Sequence, residues 1–475
     1  MPFRRPVIRL SLLVSLSCLS LSCAPVAHAA DGASVTLPKE ELDQLIATYA
    51  LVKSRYVEAP DERKLLTAAI GGMLASLDPH SQYLDQDELA ALEQDRLGEY
   101  VGIGIEVEVE DRQMHVVSVA EDGPAEKAGI EAGDTLETVN GDAILRMRAA
   151  ELEKQIRGVP GTALTLGVRH GGKGEVRKVD VTRAALRAET VRTRMAAPGV
   201  AWIRIARFEG RTAADLAAAL ASLGANGAPR GIVLDLRNDP GGLVSAAVGV
   251  AGAFLQPGTV LFSARGRMAG ADSTVTVDQR YYRGPGEADV LAALPAWTRT
   301  VPLTVLVNGG SASSAELVAG ALQDHGRAKI VGTQTFGKGS IQTVFPLSED
   351  RAVKLTVARY FTPRGREIQA RGITPDVVVA PPAGKRGADG LVPREADLAH
   401  HLQATLPAQD AARPAQRAAP ESTRMFGTGD DRALATAVRM LAPDLGLGLA
   451  HEAGALLRRL GLKIEASAQA AANGL

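Results

Sequence analysis

Three segments of the chain hold residue types that could do covalent chemistry. In the first, Leu303 to Val307 reads as a buried strand running into Asn308-Gly309-Gly310, and Ser311-Ala312-Ser313-Ser314-Ala315-Glu316 then opens a helix. Amide N–H groups in a helix's first turn lack intrahelical partners and carry partial positive charge. A serine there can attack a carbonyl while those amides hold the negative charge that develops. A plain N-cap at Ser311 or Ser313 would use the same residues. The second segment is Gly332-Thr333-Gln334-Thr335-Phe336-Gly337-Lys338-Gly339-Ser340-Ile341-Gln342. It misses a phosphate-binding loop by one residue, because Gly339 stands where Ser or Thr should hold magnesium, and it runs into a strand instead of a helix. A lysine held between two glycines beside a strand fits a positioned general base, the alternative being an exposed loop lysine. Such a base must be neutral. Lowering a lysine pKa from ~10.4 to ~7.5 corresponds to roughly 4 kcal/mol, within the reach of desolvation. Burial of Lys338 is therefore expected, with Gln342 as a hydrogen-bond partner for its amine. In the third segment, Asp235-Leu236-Arg237-Asn238-Asp239-Pro240-Gly241-Gly242-Leu243, either glycine could bring an amide N–H to the developing oxyanion, or the pair could be an ordinary βα turn.

Other chemistries fit less well. His325, next to Asp324, would be the usual base for a serine. Yet the residues between Ser313 and His325 read as one helix, a rise of about 16 to 18 Å, so the two sit at opposite ends of a rod. His325 is expected to cap the helix C-terminus. His451-Glu452 begins like a zinc-protease motif, but Ala455 breaks it, and His400-His401 reads as surface. No metal or cofactor is called for.

The elements that must position these residues can be read from periodicity. Residues 39–97 look helical, with a turn at Leu77-Asp78-Pro79-His80-Ser81-Gln82-Tyr83-Leu84 and a new helix near Asp87. From about Gly98 to Thr182 the pattern becomes a small β-rich module. Its strands lie near Ile103–Val109, Met114–Val119, Thr135–Val139, Leu164–Arg169 and Arg177–Val181, with short helices at Pro124 and Leu152. Residues 185–380 alternate strand and helix, the pattern of a layered α/β core. After Pro381 a Pro/Gly/Lys/Arg-rich linker leads to helical patches at Leu434–Met440 and Ala453–Leu460.

Composition bounds the rest. Arg4, Arg5 and Arg9, the apolar run Leu10–Leu21 and Ala27-His28-Ala29 read as a secretory signal over residues 1–30. Both cysteines, Cys18 and Cys23, fall within it, so the remaining chain has neither a thiol nucleophile nor a disulfide framework. The expected location is periplasmic or secreted, with membrane association if the segment is retained. The formal charge of −1 and the lack of like-charge blocks argue against nucleic acid.

Taken in order, several motifs resemble the carboxy-terminal processing (tail-specific) serine proteases. They are Ser76-Leu77-Asp78-Pro79-His80-Ser81, Gly102-Ile103-Gly104-Ile105, Gly123-Pro124-Ala125-Glu126-Lys127-Ala128-Gly129-Ile130, the Asp235–Gly242 turn, Gly310-Ser311-Ala312-Ser313, Gly337-Lys338-Gly339 and Gly372-Ile373-Thr374-Pro375-Asp376. The resemblance implies a serine endopeptidase with Ser313 as nucleophile and Lys338 as base. Gln342 would be the lysine's partner, and Glu316, Asp324 and Thr335 would have supporting roles. It implies an oxyanion hole from the Ser314 amide and one of Gly241 or Gly242, and no cofactor. The implied fold is α/β: a protease core of the crotonase-like spiral type at 184–380, with a β-rich PDZ domain inserted at 98–183. A helical region at 31–97 and a tail at 381–475 flank these. The PDZ loop Tyr100-Val101-Gly102-Ile103-Gly104-Ile105 would take a substrate's terminal carboxylate, with Ile103 and Ile105 lining an apolar pocket unless they are merely core. Expected partners are protein or peptide substrates with apolar C-termini, an adaptor protein and further copies of the chain. The competing expectation is a non-catalytic PDZ scaffold. Two departures from the family pattern are visible: Ser314-Ala315 replaces Ala-Ser, and Asp239 replaces a common Asn.

Overall fold

The computed structural model describes most residues between 38 and 442, apart from short internal stretches and the longer segments 380–393 and 407–425. The expected signal at 1–30, most of the linker and the patch at Ala453–Leu460 lie outside the described residues. The chain divides into two compact units, residues 1–66 and 67–475. The first carries helix α1 (Lys39–Arg55) and the start of α2 (Glu62–Ala75), where Glu62 accepts from Tyr49 at 2.5 Å and pairs with Lys53 at 2.8 Å.

In the second unit, a parallel sheet runs through β11 (Val200–Ile205), β12 (Gly231–Asp235), β15 (Leu303–Val307), β16 (Lys329–Gly332) and β19 (Val377–Val378), with β10 (Val191–Ala197) antiparallel at one edge. The sequences Val-Ala-Trp-Ile-Arg-Ile, Gly-Ile-Val-Leu-Asp and Leu-Thr-Val-Leu-Val are buried throughout. Strands covered on both faces need such continuous apolar runs. Successive side chains point to opposite faces. Ile203, Leu234 and Val305 therefore pack under α5 (Thr212–Gly224), α6 (Val244–Phe254) and α7 (Ser314–Asp324), numbered after the short α4 (Pro124–Lys127) of the β-rich module. Trp202, Val233 and Leu306 join a second core on the other face.

That second face is covered by the tail. Helix α8 (Arg432–Leu441) buries Ala433, Leu434, Ala437 and Val438, one stripe of its surface, and Phe426 packs beside it. The tail is thus a layer of the core. An ion-pair network fastens it. Asp431 caps α8 by accepting from Leu434 N–H at 3.0 Å, and it takes both Arg237 amino groups at 3.0 and 2.6 Å. Arg237 also binds Asp235 and lies 3.9 Å above the Phe426 ring. Burial raises the Asp235 pKa, but the Arg237 and Arg204 charges outweigh it and hold the carboxyl below its usual range.

A second, antiparallel sheet carries β13 (Val260–Gly266), β14 (Ser273–Thr276), β17 (Ser340–Ser348) and β18 (Arg351–Phe361). Its edge is β1 (Gln82–Leu84), so the Asp78–Ser81 turn leads straight into a pairing with β18. Helix α3 (Gln86–Leu97) and strand β2 (Glu99–Gly102), paired with β9 (Ala184–Arg187), follow. The β-rich module lies between them as β3 (Ile105–Glu110), β4 (Gln113–Val119), β5 (Thr135–Val139), β6 (Asp142–Ala143), β7 (Ala163–Arg169) and β8 (Arg177–Thr182). It has its own core.

Asp431→Ala leaves the Arg237 guanidinium buried without the two carboxylate oxygens it binds there. It is expected to lower unfolding free energy by about 3–5 kcal/mol in urea denaturation.

Candidate active site

The turns after β12 and β15 lie side by side at the C-terminal ends of adjacent parallel strands, the usual place for a site in such a sheet. Hydrogen bonds stitch them together. Asn308 Nδ2 donates to Asn238 Oδ1 at 2.8 Å, Ser311 Oγ to Leu236 O at 2.7 Å, Ser314 Oγ to Gly242 O at 2.8 Å, and Ala312 N–H to Asp239 O at 2.9 Å. Ser313 sits at the head of α7 with φ 52° and ψ −115°, a backbone region that non-glycine residues rarely occupy. Residues held this way cluster at functional sites, where the surrounding structure compensates for the strain.

Here the compensation comes from Glu316, which is fully buried. Its Oε2 accepts from Ser313 N–H at 2.8 Å and from Lys338 N–H at 2.9 Å. Its Oε1 accepts from Gly337 N–H at 2.8 Å and from the Thr335 hydroxyl at 2.5 Å. One carboxylate oxygen therefore holds the backbone of both Ser313 and Lys338, whose amide nitrogens can be no farther apart than those two bonds allow. Thr335 is fixed in turn by Ile373 N–H at 2.6 Å. Burial pushes Glu316 up to about 7 against the pull of its four donors.

Lys338 is half-buried. Burial is the first cause that lowers its pKa and the positive charge of Lys354 the second, while Glu395, Glu316 and Asp78 oppose them. The flanking glycines are a steric requirement: a Cβ on Gly339 would stand 2.2 Å from Gln369 N. Gln342 does not meet the lysine as expected. Its amide donates to Ser340 Oγ at 2.9 Å and Thr356 Oγ1 at 3.1 Å, because β17 turns it toward β18.

Of the two turn glycines, Gly241 spends its amide on Asp239 Oδ1 at 2.8 Å. The amides of Gly242 and Ser314 have no acceptor among the described residues. Gly241 matters by what it lacks: with φ 92°, a Cβ there would sit 2.8 Å from both Ser313 Cβ and Ser314 N. Asp239 is fully buried and its Oδ2 has no partner among the described residues. Burial pushes its carboxyl well above the usual range, against Gly241 N–H and the charges of Arg204 and Arg207.

One expected residue, Asp324, lies elsewhere, and His325 is where the sequence places it. Asp324 is at the far end of α7, an 11-residue helix about 16 Å long, where it holds Arg366 and Arg364 N–H. His325 caps that end and bonds Val260 O at 2.7 Å, so neither meets Ser313. In the β-rich module, Tyr100 and Val101 pair with Leu186 and Ala185. Ile103 is only 1% exposed and belongs to the module's core with Val116 and Leu166, which corrects its expected place in an open pocket. Ile105 is half-buried against the same core. Among the described strands β3 pairs with β4 alone, leaving its other side a free edge.

Strand turns carrying a helix-head serine, a desolvated lysine and two amides without an acceptor among the described residues, in a chain that also holds a β module with an open edge, define the class as a serine-type peptidase with a second, β-rich domain. Comparisons with known proteins give the family. Residues 199–379 match Peptidase family S41, residues 101–182 a PDZ domain, and residues 21–88 the N-terminal domain of the activating protease CtpB. A carboxy-terminal-processing protease of Bartonella bacilliformis is 41% identical over 70% of this chain and 73% of its own length. The carboxy-terminal processing protease CtpA of Bacillus subtilis is 34% identical over 72% of this chain and 70% of its own. A solved photosystem II D1 C-terminal processing protease is 30% identical, covering 75% of this chain and 96% of that one, with a TM-score of 0.43. The chain belongs to the S41 family of carboxy-terminal processing serine peptidases and carries a PDZ domain.

The Glu316 pKa implies a pH slope. An acid raised on folding contributes stability that is complete below its unfolded value and is lost as pH rises through the folded one. Unfolding free energy is expected to fall by about 3 kcal/mol between pH 4.5 and 7 from this group. Glu316→Gln, less stable overall because one end of its amide faces donors, should abolish that component in denaturation curves across the range. Gly241→Ala is expected to lower both the melting temperature and kcat, the latter at least about 100-fold, since at φ 92° its methyl would press 2.7–2.8 Å against Ala312 O and Ser314 N and displace the helix head.

Proposed function

We propose that this protein is an exported endopeptidase that hydrolyses peptide bonds in protein substrates bearing apolar C-terminal tails, using Ser313 and Lys338 as a catalytic dyad. The observation that carries the reading is the shared carboxylate of Glu316, which brings a strained serine and a desolvated lysine to one place.

In this mechanism neutral Lys338 takes the Ser313 hydroxyl proton as Oγ bonds to the scissile carbonyl carbon. The Ser314 and Gly242 amides hold the oxyanion. The C–N bond then breaks, and the ammonium of Lys338 gives its proton to the leaving amine. Water attacks the acyl-enzyme carbonyl as Lys338 takes one of its protons, the bond to Ser313 Oγ breaks as Lys338 returns that proton to Oγ, and the released carboxylic acid loses its remaining proton to solvent. Burial serves this sequence because a charged lysine can take no proton. The free side of β3 suits an added peptide strand, and the loop from Tyr100 to Ile105 suits a terminal carboxylate held on backbone amides. Gln342, on β17 just after the lysine loop, ties that strand to Thr356 of β18. The signal-like first thirty residues support export, which an N-terminus found near Asp31 in a secreted or periplasmic fraction would test.

The deciding assay follows cleavage of an unstructured protein with an apolar C-terminus. Ser313→Ala and Lys338→Ala are each expected to lower kcat about 1,000-fold or more, with His325→Ala within about twofold of wild type. Substantial turnover by Lys338→Ala, or none by any form including wild type, would overturn the dyad and favour a histidine base or a scaffold.

A further inference from the structure

The Asp78-Pro79-His80-Ser81 turn has no part in the proposed chemistry, yet it is joined to the catalytic lysine's strand by two lines of hydrogen bonds. The first starts at His80, whose Nε2 bonds Glu395 Oε2 at 2.8 Å. Glu395 Oε1 accepts from Gln369 Nε2 at 2.8 Å, and Gln369 Oε1 accepts from Gly339 N–H, the residue after Lys338, at 3.0 Å. Glu395 N–H also donates to Phe336 O at 3.1 Å, on the other side of the lysine. The second line starts at Asp78, whose Oδ1 accepts from Thr356 Oγ1 at 3.0 Å. Thr356 Oγ1 accepts from Gln342 Nε2 at 3.1 Å, and Gln342 also donates to Ser340 Oγ at 2.9 Å. Asp78 is locked within its own turn by His80 N–H, Ser81 N–H and Ser81 Oγ. Glu395 and Gln369 are fully buried and Asp78 nearly so, so these bonds form where water offers no substitute.

We infer that His80, Glu395 and Asp78 are positioning residues for Lys338, so that the lysine is aligned only when the turn before β1 and the segment around Glu395 are both docked. The inference rests on the dyad reading above. Buried polar side chains that meet on a backbone amide beside a reactive group fix its placement more tightly than packing alone. The arrangement also sets the field at the amine. Among the described residues the charges that act on Lys338 are Lys354 from β18, Glu395 from the C-terminal segment, Glu316 from α7 and Asp78 from the N-terminal turn, and the three carboxylates favour its charged form. Removing the Glu395 charge while keeping its shape should therefore make the lysine easier to deprotonate.

The test uses the full chain and the unstructured substrate above, with kcat and KM measured across pH for His80→Ala, Glu395→Ala and Glu395→Gln, and Lys338→Ala alongside. His80→Ala and Glu395→Ala are expected to lower kcat about tenfold with KM within about twofold. Glu395→Gln should recover most of kcat and move the rising limb of kcat/KM to lower pH by at least about half a unit. A kcat within about twofold of wild type in both alanine variants would overturn the inference, as would an effect confined to KM. An unmoved limb in Glu395→Gln would overturn it too, and that variant decides the matter if Glu395→Ala does not fold. Activity surviving in Lys338→Ala would instead sink the dyad itself.

Discussion

A single buried carboxylate holds the site together. Taking an ionised Glu out of water costs several kcal/mol unless its lone pairs are satisfied, and Glu316 is met by four donors, one at its own helix head and three from the Thr335–Lys338 loop. Those donors are where they are because Glu316 lies in the first turn of α7, one helical turn from Ser313, and reaches back over the helix mouth. The loop from Thr335 to Lys338 wraps the same carboxylate. The strained backbone at Ser313 and the placement of Lys338 thus have a common cause. Neither the helix start nor the lysine loop could shift without leaving part of a buried charge unsatisfied.

The sheet supplies the platform. Parallel strands with apolar runs bury both faces, and the turns at their C-terminal ends are left to carry polar residues. The turn after β12 is braced from behind by Arg237, whose guanidinium is shared among Asp235, Asp431 and the Phe426 ring. Through that brace α8, far along the chain, becomes support for the turn bearing Gly241 and Gly242. Asp239 fits the same turn in an unusual way. Its buried carboxyl holds Gly241 through one oxygen while the other has no partner among the described residues. A group this desolvated favours the neutral form, in which it carries a donor and an acceptor instead of a charge.

The PDZ module contributes reach. Its core is closed around Ile103, and among the described strands β3 has one side unpaired. Recognition by backbone pairing is tolerant of sequence and sensitive to chain ends. That suits an enzyme whose relatives are named for processing carboxy termini.

The sequence by itself determined what local physics controls. Leu303–Val307 reads as a buried strand, the small residues after Gly310 as the opening of a helix, and the lysine between two glycines as a held side chain. It also separated His325 from Ser313, because helical rise is fixed per residue. Tertiary structure alone decided the partnerships across the chain. Gln342 faces Thr356, since the side on which a strand residue points depends on register with β18. Asp324 serves an arginine turn at the wrong end of its helix. His80 meets Glu395 across 315 residues, and α8 proves to be a layer of the core. Periodicity and turn chemistry act over a few residues, whereas a hydrogen bond between distant segments exists only once the whole chain has excluded water from between them.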